Sequence, residues 1–170
     1  MARVASLYRQ RVQATAIVGS SLTFVTGGRI VHQALEGYQD RETKRRLAFL
    51  IGGTGAPRGP EAIPKRASVD EMFTPRIRAS GGEGGSGDDV QAGLSCFIER
   101  HGGVELVGHS GDQNGFISYL YIHRPSASGY IVSFNTDVSS KRDARHSTRA
   151  VDDDLRDVII RELFQPVGRR

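Results

Sequence analysis

The chain contains few of the residue types on which several common classes of protein depend. It has no tryptophan and only one cysteine among 170 residues. Because a disulfide needs two cysteines, an internal disulfide framework is excluded. Cys96 falls on the apolar side of a predicted strand, which favours a small core residue over a nucleophile. The five histidines are not spaced like metal ligands, so neither a metal nor another cofactor is expected.

Long apolar runs and a strong excess of one charge are also missing. No apolar run approaches the roughly 20 residues of a membrane-spanning helix, and residues 1–3 do not lead into a signal-peptide core, so a cytoplasmic protein without membrane contact is expected. The net charge is +4, and no basic stripe is interleaved with aromatic residues, which argues against nucleic-acid binding. The length and the 38% hydrophobic content predict a single soluble domain over 1–170.

Three extended segments in the second half of the chain carry the clearest structural signal. They cover 104–109, 116–123 and 130–134, and the last two alternate with period two and are rich in β-branched and aromatic residues. The turn-forming residues between them are Gly111, Asp112, Asn114 and Gly115, then Pro125, Ser126, Ser128 and Gly129. This pattern predicts a three-stranded antiparallel meander whose first strand ends in the triplet His109-Ser110-Gly111.

The N-terminal part predicts a helix followed by a hairpin. An apolar stripe with helical spacing covers 4–16. Two alternating segments follow, 20–25 and 29–35, and they are joined by Gly27 and Gly28, which permit the positive φ of a tight hairpin turn.

Between the hairpin and the meander the sequence predicts smaller elements. A short helix is expected over 67–75 with Ser68 as its N-cap. The glycine-rich segment 81–87 is expected to be a flexible loop. A single strand is predicted over 90–98, and Gly102-Gly103 would turn it into the meander.

A final amphipathic helix completes the pattern. Its apolar stripe is formed by Val151, Leu155, Val158, Ile159 and Leu163, and the three aspartates 152–154 are expected in its first turn, at the positive end of the helix dipole. The whole predicts an α/β fold: an antiparallel sheet of about five strands flanked by the N- and C-terminal helices, which pack on one face.

Two segments resemble the family of serine β-lactamases, penicillin-binding proteins and related esterases. In that family the strand beside the active site ends in Lys-Thr-Gly, or in His-x-Gly in the esterase-like branch, and GHSGDQNGF at 108–116 is similar to it. The segment 19–45 resembles the family's opening hairpin. The resemblance covers roughly 4–164 and implies the α/β half of that fold. It also implies hydrolysis of a β-lactam, ester or peptide-like acyl bond through an acyl-enzyme.

The chain also lacks several motifs of this family. In the family a helical region follows the hairpin and carries the nucleophilic serine, a lysine three residues later and a Tyr-x-Asn loop. No serine lies three residues before Lys44, Lys65 or Lys141, and no tyrosine begins a Tyr-x-Asn triplet. Residues 47–51 resemble a later helix of the family, so an internal truncation near 46–47 is inferred. Without the Ser/Lys pair, the chain alone is predicted to lack acyl-enzyme chemistry.

The resemblance assigns roles to four residues of a vestigial cleft strand. His109 takes the place of a residue that orients the small acyl substrate, and Ser110 that of a substrate-contacting hydroxyl. Gly111 completes the triplet, and the backbone N–H of Asp112 would be one oxyanion donor. The simpler interpretation is a strand end with a turn. Residues 50–59 are weakly similar to a dinucleotide-binding glycine turn, but a helix end followed by a loop is favoured.

Two further functional hypotheses remain open at this point. Loss of the helical half would leave the cleft-lining sheet face uncovered, and such apolar faces mark partner sites. The chain would then be a non-catalytic binding or interaction module that forms a homo-oligomer or pairs with a completing chain. Alternatively, it is a truncated relic without a function of its own.

Overall fold

The structure is a computed structural model that describes residues 1–44, 66–79, 89–137 and 147–164. Its centre is one antiparallel sheet with the strand order β2-β1-β8-β7-β6-β5-β4-β3. The strands are β1 Gly19–Thr26, β2 Arg29–Gly37, β3 Ile77–Arg78, β4 Asp89–Ala92, β5 Phe97–His101, β6 Val104–Gln113, β7 Phe116–His123 and β8 Ser128–Phe134. The helices are α1 Ala2–Ala14, α2 Arg66–Met72 and α3 Thr148–Ile159; a 3₁₀ turn covers Arg124–Ser126, and a π-helical turn, Ile160–Phe164, continues α3.

The predicted fold class is wrong in the number of strands and in the relative amounts of sheet and helix. The sheet has eight strands rather than about five, and the described chain is mostly sheet with three short helices. One reason for the higher strand count is that the segment predicted as a single strand over 90–98 forms parts of two strands, β4 and β5. Between them Ser95 takes a positive φ of 58°, and the backbone N–H of Gly93 donates to Cys96, so the chain reverses. The other is β3, whose two residues are too few to give a periodic pattern.

The meander of β6, β7 and β8 is confirmed, but its first strand is longer than predicted. Strand β6 continues past the triplet because Gly111 and Asp112 pair with β7. The turn is limited to Asn114 and Gly115, whose φ values are 48° and 85°. After the 3₁₀ turn, Ala127 has left-handed φ and ψ, and the chain enters β8 directly.

The other predicted elements are confirmed in outline. Helix α1 buries Val4, Tyr8 and Val12, and the hairpin turns at Gly27-Gly28, with φ of 54° and 74°. Helix α2 exists, but Ser68 lies inside it and is not its N-cap. The segments 46–51, 50–59 and 81–87, for which a helix end, a loop and a flexible loop are predicted, lie outside the described residues, and so does the site of the inferred truncation.

The core lies between the sheet and the two terminal helices. Helices α1 and α3 contact each other. They share one apolar cluster with the sheet residues Leu22, Phe24, Leu106, Tyr121, Tyr130, Val132 and Phe134. None of the helices in the described ranges combines the length and apolar character that a bilayer crossing requires.

A smaller cluster lies on the opposite face of the sheet, where α2 ends. It contains Cys96, Ile98 and Val107, with Phe73 packed against it. Cys96 is predicted on a strand, but it lies in the β4–β5 connection. Its thiol donates to the Met72 carbonyl at 3.2 Å. Burial raises the pKa of this thiol, which agrees with a core role rather than a nucleophilic one.

The three aspartates of α3 are not in its first turn. The helix begins at Thr148, and its N-cap is Ser147, whose hydroxyl accepts from the Ala150 N–H at 3.1 Å. Asp152 is therefore the fifth helical residue and is fully buried. Its partner is Arg156, one turn later on the same helix, so the carboxylate serves an ion pair rather than the helix dipole.

Asp152 and Arg156 belong to a buried charge cluster that joins α3 to the sheet. Its members are Glu99, His101, Tyr121, Tyr130, Asp152 and Arg156. Arg156 donates to Glu99 at 2.9 Å and lies over the Tyr121 ring at 4.3 Å from the ring centroid. The Tyr121 hydroxyl donates to Glu99 at 2.9 Å, and the Tyr130 hydroxyl donates to Asp152 at 3.1 Å. The cluster thus connects α3 with β5, β7 and β8.

Candidate active site

The predicted site residues lie where β6 extends beyond its neighbour β5. Strand β5 pairs with β6 only as far as Gly108, whereas β7 pairs with it through Gln113. Within the described ranges, residues 109–113 therefore have a strand partner on one side only; we call this segment the β6 overhang. Alternate residues of such an edge direct backbone N–H and C=O groups away from the sheet, where an extended ligand can pair with them.

The register places the side chains of the triplet on opposite faces. His109 pairs with Leu120, which pairs with Ile131, and all three are exposed. Ser110 instead pairs with Tyr119, which is buried beneath the terminal helices. Because side chains alternate along a strand, His109 and Gly111 share the open face, and Ser110 and Asp112 share the helix-covered one. The four residues are adjacent in the chain, but their side chains do not converge.

The His109 ring has defined neighbours at the start of the overhang. Its centroid lies 5.3 Å from that of the Phe97 ring. Its Nδ1–H donates to the backbone carbonyl of Ser110, so in the neutral ring Nε2 is left as an acceptor. Within the described residues, no hydrogen bond joins this ring to the Ser110 hydroxyl. The imidazole can therefore orient or accept from a ligand, but it is not placed to activate Ser110.

Glycine has a different structural role at each of two positions in β6. A Cβ on Gly108 would lie 2.0 Å from the Leu120 carbonyl oxygen, so only glycine lets β6 approach β7 there. A Cβ on Gly111 would meet only the Ser118 hydroxyl, at 3.3 Å. Because Gly111 has no side chain, the open face of the overhang has room for a ligand above the strand at this position.

Sequence reasoning missed the apolar surroundings of His109. The period-two alternation over 116–123 puts Leu120 on one face with Ser118 and Ile122, and the register agrees. It did not show that Leu120 and Ile131 would be exposed side by side, since that depends on which face the helices cover.

A groove elsewhere contains none of the predicted site residues. It has a volume of about 820 Å³ and lies where the end of α1 meets the end of β2. Its polar groups include Arg41, whose guanidinium donates to the Ala16 carbonyl at 3.3 Å, and Glu36, which is paired with Arg9. No group of three or more metal-ligating side chains is found in the described ranges.

The fold is similar to that of an amide-cleaving enzyme. D-amino acid amidase from Ochrobactrum anthropi SV3, whose crystal structure was solved in complex with L-phenylalanine amide, matches with a TM-score of 0.54 and 10% identity. The match covers 93% of this chain and 96% of that chain. That amidase is a serine hydrolase of the penicillin-binding-protein and β-lactamase type. No protein-family model and no curated protein matches the sequence. At 10% identity the likeness shows the fold alone.

Proposed function

We propose that this chain forms the substrate-facing sheet of a serine hydrolase of the β-lactamase and penicillin-binding-protein type, with the β6 overhang as its binding strand. The substrate class is a β-lactam, ester or peptide-like acyl compound. The observation that carries the proposal is the overhang itself: a strand edge with exposed His109, in a fold similar to that of an amidase. The His-x-Gly triplet favours the esterase-like branch.

The overhang offers complementary groups for such a substrate. An acyl-amide placed along residues 109–113 would exchange hydrogen bonds with the outward backbone groups, as an added strand does. The absence of a side chain at Gly111 leaves space for the main chain of the acyl compound. The rings of His109 and Phe97, with Leu120, would contact its apolar part.

Catalysis by this chain alone is not part of the proposal. A serine nucleophile needs a base within hydrogen-bond reach. The side chain of Ser110 lies on the face opposite His109, and the sequence has no Ser-x-x-Lys pair. The chain should therefore bind the acyl compound reversibly without forming an ester to it.

A fluorescent penicillin and a fluorophosphonate test this proposal. After incubation at pH 7, the intact-protein mass is expected to be unchanged, while amide NMR signals of residues 109–113 shift reversibly with penicillin concentration. His109→Ala should weaken this binding, and Ile30→Ala, a change at an exposed residue of the distant edge strand β2, serves as the control. A stoichiometric covalent adduct that disappears in Ser110→Ala would contradict the proposal.

A second candidate function is an interaction module that uses the open sheet face. Leu120 and Ile131 are each 40% exposed, and they pair with each other across β7 and β8 in the row that begins at His109. Contiguous exposed apolar side chains mark association surfaces in soluble proteins. The occupant in this hypothesis is a second copy or a completing chain that covers the face.

The double change Leu120→Ser/Ile131→Ser separates this candidate from the first. If the open face drives association, the native chain should elute in size-exclusion chromatography with light scattering as an oligomer, and the double variant as a monomer. Ile77→Ser, a change at a 71% exposed residue of β3, is the control and should leave the oligomer intact. A native chain that stays monomeric and captures no partner would count against the module.

A further inference from the structure

The buried charge cluster contains more acid than permanent cation. Glu99 and Asp152 are fully buried, and both contact Arg156, which is 1% exposed. If both carboxylates are ionised, they leave one buried negative charge without a partner, and such a charge is costly in a protein interior. Asp153 lies 3.6 Å from Arg156 as well, but its side chain is 36% exposed, so solvent shares its charge.

The titratable and charged groups around this site come from four elements. They are Glu99 and His101 of β5, Tyr119 and Tyr121 of β7, Tyr130 of β8, and Arg149, Asp152, Asp153 and Arg156 of α3. Burial raises the pKa of all three tyrosines above their usual range, so they remain neutral hydrogen-bond donors. They cannot supply the missing positive charge.

Asp152 can carry the proton that removes the unpaired charge. Glu99 has two neighbours besides Arg156, the Tyr121 hydroxyl at 2.9 Å and the Nε2 of His101 at 3.0 Å, whereas Asp152 contacts Arg156 and the Tyr130 hydroxyl. Burial raises the pKa of the Asp152 carboxyl to about 6, and this effect outweighs the neighbouring Arg156.

We propose that the cluster holds one extra proton in the folded chain, on Asp152, and that its loss weakens the attachment of α3 to the sheet. Helix α3 depends on the cluster because Arg156 is its hydrogen-bonded link to β5. The fold then acts as a pH-sensitive device, in which acid favours the docked helix. This inference does not depend on the acyl-binding function proposed above.

The sign of the effect follows from linkage between protonation and folding. A folded chain that binds more protons than the unfolded chain loses stability as the pH rises. For Asp152 the stabilising effect is fully present below its ordinary pKa of 3.8 and is lost as the pH passes through about 6. An ordinary salt-bridged carboxylate acts in the opposite direction, so the two cases can be separated.

The variant Asp152→Asn tests the proposal, because it leaves Glu99 and Arg156 as a balanced pair. We would measure the thermal unfolding temperature of the native chain and of the variant from pH 4 to pH 8. The native-minus-variant difference is expected to fall by on the order of 5 °C across this range. Asp157→Asn, exposed on the same helix, should keep the native profile.

NMR titration of the native chain keeps the test valid if Asp152→Asn does not fold. The Asp152 carboxyl is expected to be mostly protonated at pH 5.5. Unfolding profiles that run parallel at all pH values would overturn the proposal. So would a native chain with a mostly ionised Asp152 at pH 5.5. Neither readout involves acyl compounds, so failure here leaves the hydrolase proposal untouched.

Discussion

Arg156→Met is expected to lower the free energy of unfolding by about 3–5 kcal/mol, because it leaves two buried carboxylates without their cation. Methionine matches the length of the arginine stem but offers no donor to Glu99, which arginine contacts at 2.9 Å. The contact of the guanidinium with the Tyr121 ring is lost as well. Urea unfolding followed by circular dichroism at pH 7 measures the change.

Two control variants sharpen the Arg156 result. Arg161→Met makes the same exchange at an exposed position just beyond α3 and should change the free energy by no more than about 0.5 kcal/mol. Adding Glu99→Gln and Asp152→Asn to Arg156→Met removes the unpaired charges and should recover part of the loss. A loss below about 1 kcal/mol for Arg156→Met alone would show that the cluster does not secure α3.

Phe134→Ala should cost about 3–5 kcal/mol through the cavity that it leaves. Phe134 is fully buried in β8, between Ser20 of β1 and Ile117 of β7. Its ring also meets that of Tyr119 edge-on, with centroids 6.5 Å apart. Because β8 joins the N-terminal hairpin to the meander, the cavity would weaken the centre of the sheet. The same urea experiment measures the effect.

Phe116→Ala is the matched control for Phe134→Ala. Phe116 is on the adjacent strand β7 and is 53% exposed, so its truncation removes little buried surface. A loss below about 1 kcal/mol is expected. Equal losses at the two positions would be inconsistent with a core between the sheet and the terminal helices.

Local sequence patterns predicted the elements whose signal lies within one segment. The meander strands, the Gly27-Gly28 turn and the buried stripe of α1 follow from periodicity and turn chemistry. The count of strands did not follow, because the reversal between β4 and β5 depends on a positive φ at Ser95, a residue type that gives no warning of it. The two-residue strand β3 exists only through its pairing with β4.

Tertiary context decided the features of the site and of the charge cluster. The triplet at His109 was found from sequence, but the overhang depends on where β5 begins, at Phe97. Glu99 lies just beyond the strand predicted over 90–98; in the structure it belongs to β5 and contacts Arg156 of α3. Its partner Arg156 is 57 residues away, so no local pattern could connect them.

The place of β8 beside β1 has a consequence for how the chain is synthesised. A hydrogen bond of 2.7 Å joins Thr26 of β1 to Ser128 of β8, although they are 102 residues apart. The hairpin of β1 and β2 therefore leaves the ribosome long before its sheet neighbour exists, and one edge of β1 stays unpaired during that interval. Long-range pairing of this kind is slow and exposes strand edges to aggregation. We expect the nascent hairpin to be the stage at which chaperones protect this protein.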